Sequence, residues 1–254
     1  MDASDQRRAR VCLIVPCYNE ERRLDRESFR QFIASHDGVM LVFVDDGSRD
    51  HTRQVLEQLC DGTQNRIAIV AHERNRGKAE SVRAGVEYAL RSLNPEIIGY
   101  WDADLATPLT AVDEFLKVLD ENSRILMVFG ARIKLLGRRV ERHAARHYLG
   151  RVFATVVSNI LRLDIYDTQC GAKLFRVNDA LRAAFAQPFL SKWVFDVEII
   201  ARYLQFFNGD TRTLAEVIYE YPLQEWVDVA GSKVHPADFF KAFVDIVRIK
   251  RRYL

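Results

Sequence analysis

Short apolar runs alternate with amphipathic helical patterns through the first half of this chain, and this alternation constrains the fold more than any other feature. The apolar runs lie at residues 11–15, 39–44, 67–71, 97–101 and 125–131. The helical patterns between them lie at about residues 24–35, 51–60, 78–93 and 109–119. Strands that are apolar on both faces and separated by helices are typical of parallel sheets covered on both sides. The sequence therefore predicts an α/β fold with a mostly parallel sheet flanked by helices.

The fourth apolar run ends in a pair of acids. Residues 97–101 are followed directly by Asp102-Ala103-Asp104. Two carboxylates separated by one residue at the end of a strand can bind one hard divalent cation, and Mg²⁺ or Mn²⁺ prefers such oxygen ligands. Phosphate oxygens of a nucleotide usually complete the coordination. Taken alone, an Asp-x-Asp sequence is more often a solvated loop, so this interpretation needs support from elsewhere in the chain.

A second pair of acids supplies that support. Asp45 and Asp46 follow the strand predicted at residues 39–44. Gly47 permits a tight turn behind them, and Ser48 or Asp50 can cap the next helix. The carboxyl ends of parallel strands form the edge where open α/β sheets bind ligands.

Two further loops belong to the same predicted edge. The first strand ends in the polar loop Pro16-Cys17-Tyr18-Asn19-Glu20, and a basic loop at residues 72–78 opens a helix. A basic loop at a helix N-terminus suits a phosphate group, although it can equally be a solvated turn. Helix caps could explain one polar strand end, but the polar ends of the first, second and fourth strands together favour a nucleotide-binding site.

Composition and charge set outer bounds on the protein. The chain has 254 residues, of which 48% are hydrophobic, and its formal net charge is +2, so no global charge points to nucleic acid. The cysteines, Cys12, Cys17, Cys60 and Cys170, form no C-x-x-C pair, and we interpret them as reduced thiols. The polar N-terminus has no signal-peptide core, and no apolar stretch is long enough to span a bilayer. We therefore expect a cytoplasmic protein.

Two basic amphipathic segments lie in the second half of the chain. One begins among arginines near residue 138 and continues as an apolar stripe to Ile160. The other combines apolar residues at 239–247 with a basic ending at 248–252. Such helices can lie on an anionic membrane surface. The alternative is that both stripes pack on the core while the arginines are solvated.

Taken together, these motifs resemble the family 2 glycosyltransferases of the GT-A fold, the nucleotide-diphospho-sugar transferase fold. The resemblance rests on residues 15–20, 44–48 and 102–104. It narrows toward the dolichyl-phosphate β-glucosyltransferases through residues 102–107, 167–175, 193–198 and 231–233. It implies one GT-A domain over residues 1–254, with C-terminal amphipathic helices. A nucleotide-sugar-binding half would occupy about 10–131, and an acceptor half about 132–254.

The resemblance also implies residues for the donor and its cation. Asp102 and Asp104 would be catalytic and would bind Mg²⁺ or Mn²⁺ against the donor diphosphate. The implied donor-binding residues are Pro16, Tyr18, Asn19, Glu20, Asp45, Asp46, Arg76, Lys78, Asp102 and Ala103. Related mannosyl enzymes usually carry Gln where this chain has Ala106. The resemblance therefore favours UDP-glucose as the donor.

On the acceptor side, the resemblance implies polyprenyl or dolichyl phosphate and an inverting transfer of a hexose. The implied acceptor-binding residues are Arg132, Arg146, Gln169 and Lys233, and Asp196 would be an acceptor-side catalytic acid. The enzyme would be peripheral on the cytosolic face of a membrane. Open alternatives are a GDP-mannose donor, a non-lipid acceptor, and a nucleotidyltransferase or sugar-nucleotide-binding protein.

Overall fold

The computed structural model describes residues 9–141, 144–229 and 236–254, and within them the side chains of 144–149 and 236–240 lie outside the description. The chain divides into two compact units, Met1–Ala103 and Asp104–Leu254, which we call unit 1 and unit 2. This boundary differs from the one predicted between the donor half and the acceptor half, at residues 131 and 132. That both halves belong to one transferase domain stays a prediction.

Unit 1 contains four parallel strands in the order β3-β2-β1-β4. The strands are β1 (Val11–Cys17), β2 (Val39–Asp45), β3 (Ile67–Ala71) and β4 (Ile97–Trp101). The helices are α1 (Arg26–Ser35), α2 (Thr52–Cys60) and α3 (Lys78–Ser92). Each of these elements was predicted from its apolar pattern to within about two residues, which is the usual uncertainty at element ends.

The register of the strands in unit 1 aligns their carboxyl ends. Cys17 pairs with Asp45, and Asp45 pairs with Ala71, so β1, β2 and β3 end at the same level. The loops that follow these strands therefore begin side by side. This alignment brings together the polar segments that the sequence predicted after β1, β2 and β3.

Unit 2 combines a three-stranded sheet with a small second sheet. Strands β5 (Met127–Ala131), β7 (Ala172–Arg176) and β8 (Ile218–Pro222) lie in the order β7-β5-β8, with β7 antiparallel to β5 and β8 parallel to it. Strands β6 (Arg139–Glu141) and β9 (Glu225–Val227) form a parallel pair. The helices are α4 (Ala111–Glu121), α5 (Ala144–Leu161), α6 (Asp179–Phe185), α7 (Phe195–Phe206), α8 (Thr211–Val217) and α9 (Pro236–Tyr253).

Several further expectations can be compared with these elements. The amphipathic helices predicted in the second half of the chain are α5 and α9. Asp50, rather than Ser48, secures the start of α2, because its Oδ1 accepts hydrogen bonds from the backbone N and Oγ1 of Thr52 at 3.0 and 2.6 Å. The four cysteines are free thiols, as predicted. Within the described residues, no helix has the length and apolar character needed to cross a membrane.

Helix α3 packs closely on the sheet of unit 1 at Gly85. A Cβ atom at this position would lie 2.5 Å from Cγ2 of Ile14 and 3.1 Å from Cγ2 of Val44. Both contacted side chains are fully buried. Glycine is therefore required here because the helix backbone approaches β1 and β2 too closely for any side chain.

We expect Gly85→Ala to lower the free energy of unfolding by about 1–3 kcal/mol, because the added methyl group overpacks the core. Gly38→Ala is the matched control, since its Cβ would meet nothing closer than Cβ of Arg10 at 3.6 Å. We expect the control to change stability by no more than about 0.5 kcal/mol. Urea unfolding followed by circular dichroism measures both, and an unchanged midpoint for Gly85→Ala would contradict the close approach.

Candidate active site

The loops after β1 and β2 are joined by hydrogen bonds between backbone and side-chain groups. The backbone N of Asn19 donates to Oγ of Ser48 at 3.0 Å, and the backbone N of Arg49 donates to Oδ1 of Asn19 at 2.8 Å. The backbone N of Glu20 donates to Oγ1 of Thr52 at 2.7 Å. Asn19 adopts a left-handed backbone conformation with φ of 51°. The predicted donor residues Asn19 and Glu20 are thus fixed against the segment that follows Asp45.

Gly47 allows the loop after β2 to approach the basic loop after β3. Its φ is +67°, and a Cβ atom there would lie 2.6 Å from the carbonyl carbon of Arg74 and 2.8 Å from the backbone N of Asn75. Only glycine combines this backbone conformation with so close a contact. The tight turn predicted at Gly47 is confirmed, and its cause is the neighbouring loop as well as the turn itself.

The carboxylate of Asp46 holds the basic loop in place through hydrogen bonds. Its side chain is almost fully buried, and it accepts hydrogen bonds from Nδ1 of His72 and the backbone N atoms of Arg76 and Gly77, each at 2.8 Å. Both carboxylate oxygens therefore bind groups of the protein. The neighbouring Asp45 is also buried, and its Oδ1 accepts from the backbone N of Ser48 at 3.1 Å. Direct donor contacts by these two acids stay predictions.

Lys78 lies at the start of α3 and contacts the first acid of the triad. Its Nζ is 2.5 Å from Oδ1 of Asp102, and the two side chains are 38% and 36% exposed. In the loop just before α3, Nη2 of Arg76 lies 3.7 Å from Oε2 of Glu80, which is in the first turn of that helix. Unit 1 therefore brings the predicted donor residues Lys78 and Asp102 together, in an ion pair that is accessible to solvent.

The remaining donor residues differ in exposure. Pro16, Tyr18 and Asp104 are partly buried, whereas Ala103 is buried. Oδ1 of Asp104 accepts a hydrogen bond from the backbone N of Ala106 at 3.2 Å. The carboxylates of Asp102 and of Asp104 each supply hard oxygen atoms, the type of ligand that Mg²⁺ and Mn²⁺ prefer, and their binding of one cation stays a prediction. Among the described residues, no group of three or more His, Cys, Asp or Glu side chains is arranged as a metal site.

Arg132 of unit 2 is held in a two-pronged ion pair with Asp167. Nε and Nη2 of Arg132 donate to the two carboxylate oxygens at 2.5 and 2.7 Å, and the guanidinium lies 5.3 Å from the centre of the Trp226 ring. The backbone N of Gln169 donates to the same carboxylate at 3.1 Å. Asp167 thus connects the predicted acceptor residues Arg132 and Gln169. Sequence reasoning missed this role, although Asp167 opens the motif that contains Gln169.

Asp196, the predicted acceptor-side acid, lies in a buried ion pair. Its Oδ1 is 2.7 Å from Nζ of Lys173, and the two side chains are 7% and 1% exposed. Glu198 is also buried, and its carboxylate accepts from Nη2 of Arg202 at 2.6 Å and from the backbone N of Leu190 at 2.8 Å. The ion pair of Glu198 with Arg202 lies in the interior, since both side chains are buried.

The other acceptor-side predictions fall at the margin of the described structure. Arg146 lies in helix α5, but its side chain is outside the described residues, as is the whole of Lys233.

The thiol of Cys170 is fully buried, and burial raises its pKa. A thiol that stays protonated is a poor nucleophile, so Cys170 is not suited to covalent catalysis.

Comparison with known proteins identifies the family to which this chain belongs. Residues 12–181 match the family model described as Glycosyl transferase family 2. The chain belongs to this family, and it is a glycosyltransferase.

Among individual relatives, the chain is 30% identical to the dolichyl-phosphate beta-glucosyltransferase of Mus musculus, over 96% of this chain and 76% of that one. It is 28% identical to the dolichyl-phosphate beta-glucosyltransferase of Saccharomyces cerevisiae, over 96% of this chain and 75% of that one.

Solved structures show the same fold at lower identity. Glucosyl-3-phosphoglycerate synthase from Mycobacterium tuberculosis superposes with a TM-score of 0.67 at 16% identity, over 95% of this chain and 80% of that one. A mannosyltransferase from Pyrobaculum calidifontis, solved with GDP-Man and Mn²⁺, superposes with a TM-score of 0.60 at 18% identity, over 95% of this chain and 63% of that one. The predicted GT-A fold is confirmed.

We expect Asp46→Asn to loosen the basic loop, because an amide can accept only with its oxygen and presents an NH₂ group to the remaining loop donors. Loss of buried hydrogen bonds to a charged acceptor should lower stability by about 1–3 kcal/mol. Hydrogen exchange at Arg76 and Gly77 should accelerate, while Asp37→Asn, at a side chain that is 91% exposed, should leave it unchanged. Wild-type protection in Asp46→Asn would show that the loop does not depend on this carboxylate.

Proposed function

We propose that this enzyme transfers glucose from UDP-glucose to dolichyl or polyprenyl phosphate, with inversion at the anomeric carbon and with the help of Mg²⁺ or Mn²⁺. The observation that carries the proposal is the accessible pairing of Lys78 with Asp102 at the end of β4. A cationic and an anionic group therefore lie side by side, and in this proposal the diphosphate and its metal would bind next to them. The names of the two curated relatives support both the sugar and the acceptor.

The donor residues divide into a rigid and an adjustable set. Asn19 and Asp45 are fixed by the hydrogen bonds between their loops, which suits recognition of the nucleoside. Lys78 and Asp102 are about one-third exposed, so their ion pair can exchange partners when a more highly charged ligand arrives. On donor binding, Lys78 would turn toward the diphosphate. A divalent cation held by Asp102 and Asp104 would neutralise charge that develops on the leaving diphosphate.

In the proposed reaction, an oxygen of the acceptor phosphate attacks the anomeric carbon of glucose. The bond from that carbon to the diphosphate oxygen breaks, and its electron pair leaves with UDP. A phosphate monoester is already largely ionised at neutral pH, so this nucleophile needs little help from a general base. Asp196, buried in its pair with Lys173, would therefore have a positioning role. Arg132 would meet the acceptor phosphate, since guanidinium groups bind phosphate with matched geometry.

Removal of either triad acid should strongly impair turnover. We expect Asp102→Asn and Asp104→Asn to lower kcat by about 10²–10³, the usual effect of one lost electrostatic contact to a developing charge. Asp196→Asn should cost less and leave the shape of the pH profile unchanged, because no proton is taken there. UDP release in the presence of polyprenyl phosphate measures all three, with Asp37→Asn as the exposed control.

Four results would contradict this scheme. A larger loss for Asp196→Asn together with a changed pH profile would identify a true base and a hydroxyl acceptor. Full activity in the presence of a chelator would remove the metal from the scheme. UDP release that ignores added polyprenyl phosphate would point to another acceptor, whereas release of pyrophosphate would indicate a nucleotidyltransferase.

The proposed lipid acceptor requires access to a membrane, and α9 has a suitable surface. Phe243, Val244 and Val247 are exposed on this helix, while Ile246 and Ile249 are buried against the core. Exposed basic side chains follow the apolar cluster at Arg248, Lys250, Arg251 and Arg252. Apolar side chains beside a basic rim match an anionic lipid surface. We therefore propose peripheral membrane attachment through this exposed face of α9.

We expect Val244→Ser/Val247→Ser to weaken binding to vesicles that contain anionic lipid by about tenfold, because two apolar side chains no longer enter the interface. Leu190→Ser is the matched control, since Leu190 is similarly exposed but lies outside α9. Flotation with and without anionic lipid measures the effect, and binding should weaken at high salt. Equal flotation of the double variant and the wild type would exclude this surface.

A further inference from the structure

The loop at residues 166–170 in unit 2 has no regular secondary structure, yet it is held from several directions. The backbone N atoms of Tyr166 and Asp167 donate to the carboxylate of Glu220 at 2.9 and 2.5 Å. The guanidinium of Arg151 lies 3.7 Å from the centre of the Tyr166 ring. The carboxylate of Asp167 is in turn bound to Arg132. The position of Arg132 therefore depends on the position of this loop.

Lys173 fixes the other end of the same loop. It lies on β7, and its Nζ donates to the backbone oxygens of Thr168 and Cys170 at 3.0 and 2.5 Å. The third contact of the ammonium is Oδ1 of Asp196 at 2.7 Å. These acceptors match the three N–H groups of a lysine ammonium. The loop is thus bound through two of its own carbonyls, at the residues on either side of Gln169.

A charge in this position is not needed for packing. The side chain of Lys173 is 1% exposed, and burying an ammonium is costly unless a partner neutralises it. Apolar side chains of similar volume often replace buried ion pairs without loss of stability. An apolar residue, however, could not direct two backbone carbonyls. The contribution that is particular to Lys173 is the geometry of the loop.

Asp196 completes this arrangement from the first turn of α7. Its carboxylate lies near the positive end of that helix and next to the ammonium of Lys173. The contacts then run in sequence from Asp196 through Lys173 and the loop to Asp167 and Arg132. Each step is a hydrogen bond or ion pair within unit 2.

We propose that Lys173 is a positioning residue for the acceptor phosphate. Its ammonium, neutralised by Asp196, fixes the loop at residues 166–170, and the loop holds Asp167 against Arg132. Arg132 then presents its guanidinium in one orientation to the phosphate. The proposal rests on the proposed function for the identity of the acceptor, while the effect of Lys173 on the loop can be measured without any substrate.

The test removes both charges together, so that no ion is left buried without a partner. We expect Lys173→Met/Asp196→Asn to speed hydrogen exchange in segments 130–133 and 166–170 by about tenfold, as loss of buried hydrogen bonds implies. The KM for polyprenyl phosphate should rise about tenfold for the same reason, while the Kd for UDP-glucose stays unchanged. Lys117→Met/Glu121→Gln, which removes an exposed ion pair on α4, is the matched control.

The outcomes separate positioning from simple charge balance. Wild-type exchange in both segments and a wild-type KM for the acceptor would overturn the proposal, because Lys173 would then only fill the core. Should the double variant fail to fold, Lys173→Gln provides the second measurement, since its shorter amide leaves the loop carbonyls without their ammonium. Wild-type exchange in that variant would equally overturn the proposal. If the wild-type enzyme transfers nothing to polyprenyl phosphate, the proposed function fails, and the exchange experiment still decides the role of Lys173.

Discussion

The candidate active site depends on hydrogen bonds that loop backbones donate to carboxylates, one of them buried (Asp46) and one partly buried (Glu220). In unit 1, Asp46 binds the backbone of Arg76 and Gly77 and thereby shapes the loop that leads to Lys78. In unit 2, Glu220 binds the backbone of Tyr166 and Asp167. Burial raises the pKa of Glu220, whereas the two backbone hydrogen bonds lower it, and the pKa stays above its usual value. Loops without regular structure thus gain fixed positions from a few charged groups.

Solvent exposure separates the acids that hold loops in place from the acids that can contact a ligand. Asp46 and Asp196 are nearly inaccessible and are bound to protein donors, so they stabilise the geometry of neighbouring loops. Asp102 is partly exposed, and its partner Lys78 is equally accessible. A ligand can displace an accessible ion pair at low cost, whereas breaking a buried one leaves a charge without solvation. The chemistry is therefore expected at Asp102 and Asp104.

Much of unit 1 could be predicted from the sequence because its elements carry strong local patterns. The run at residues 97–101 is apolar throughout, and strand β4 has the same bounds. Unit 2 was harder to predict, because β6 and β9 have three residues each and depend on pairing with one another. The antiparallel pairing of β7 with β5 likewise follows from chain topology and not from the composition of either strand.

The sequence by itself determined which acids follow the strands, since strand length and apolar character fix where each strand ends. It also determined the turn at Gly47 and the basic character of the loop before α3. Only the tertiary structure decided which carboxylates remain accessible. Asp45 and Asp46 are adjacent to one another, as Asp102 and Asp104 nearly are, yet burial and partners differ between the two pairs. Those differences arise from groups distant in the chain, such as His72 for Asp46 and Lys78 for Asp102, and no local pattern encodes such contacts.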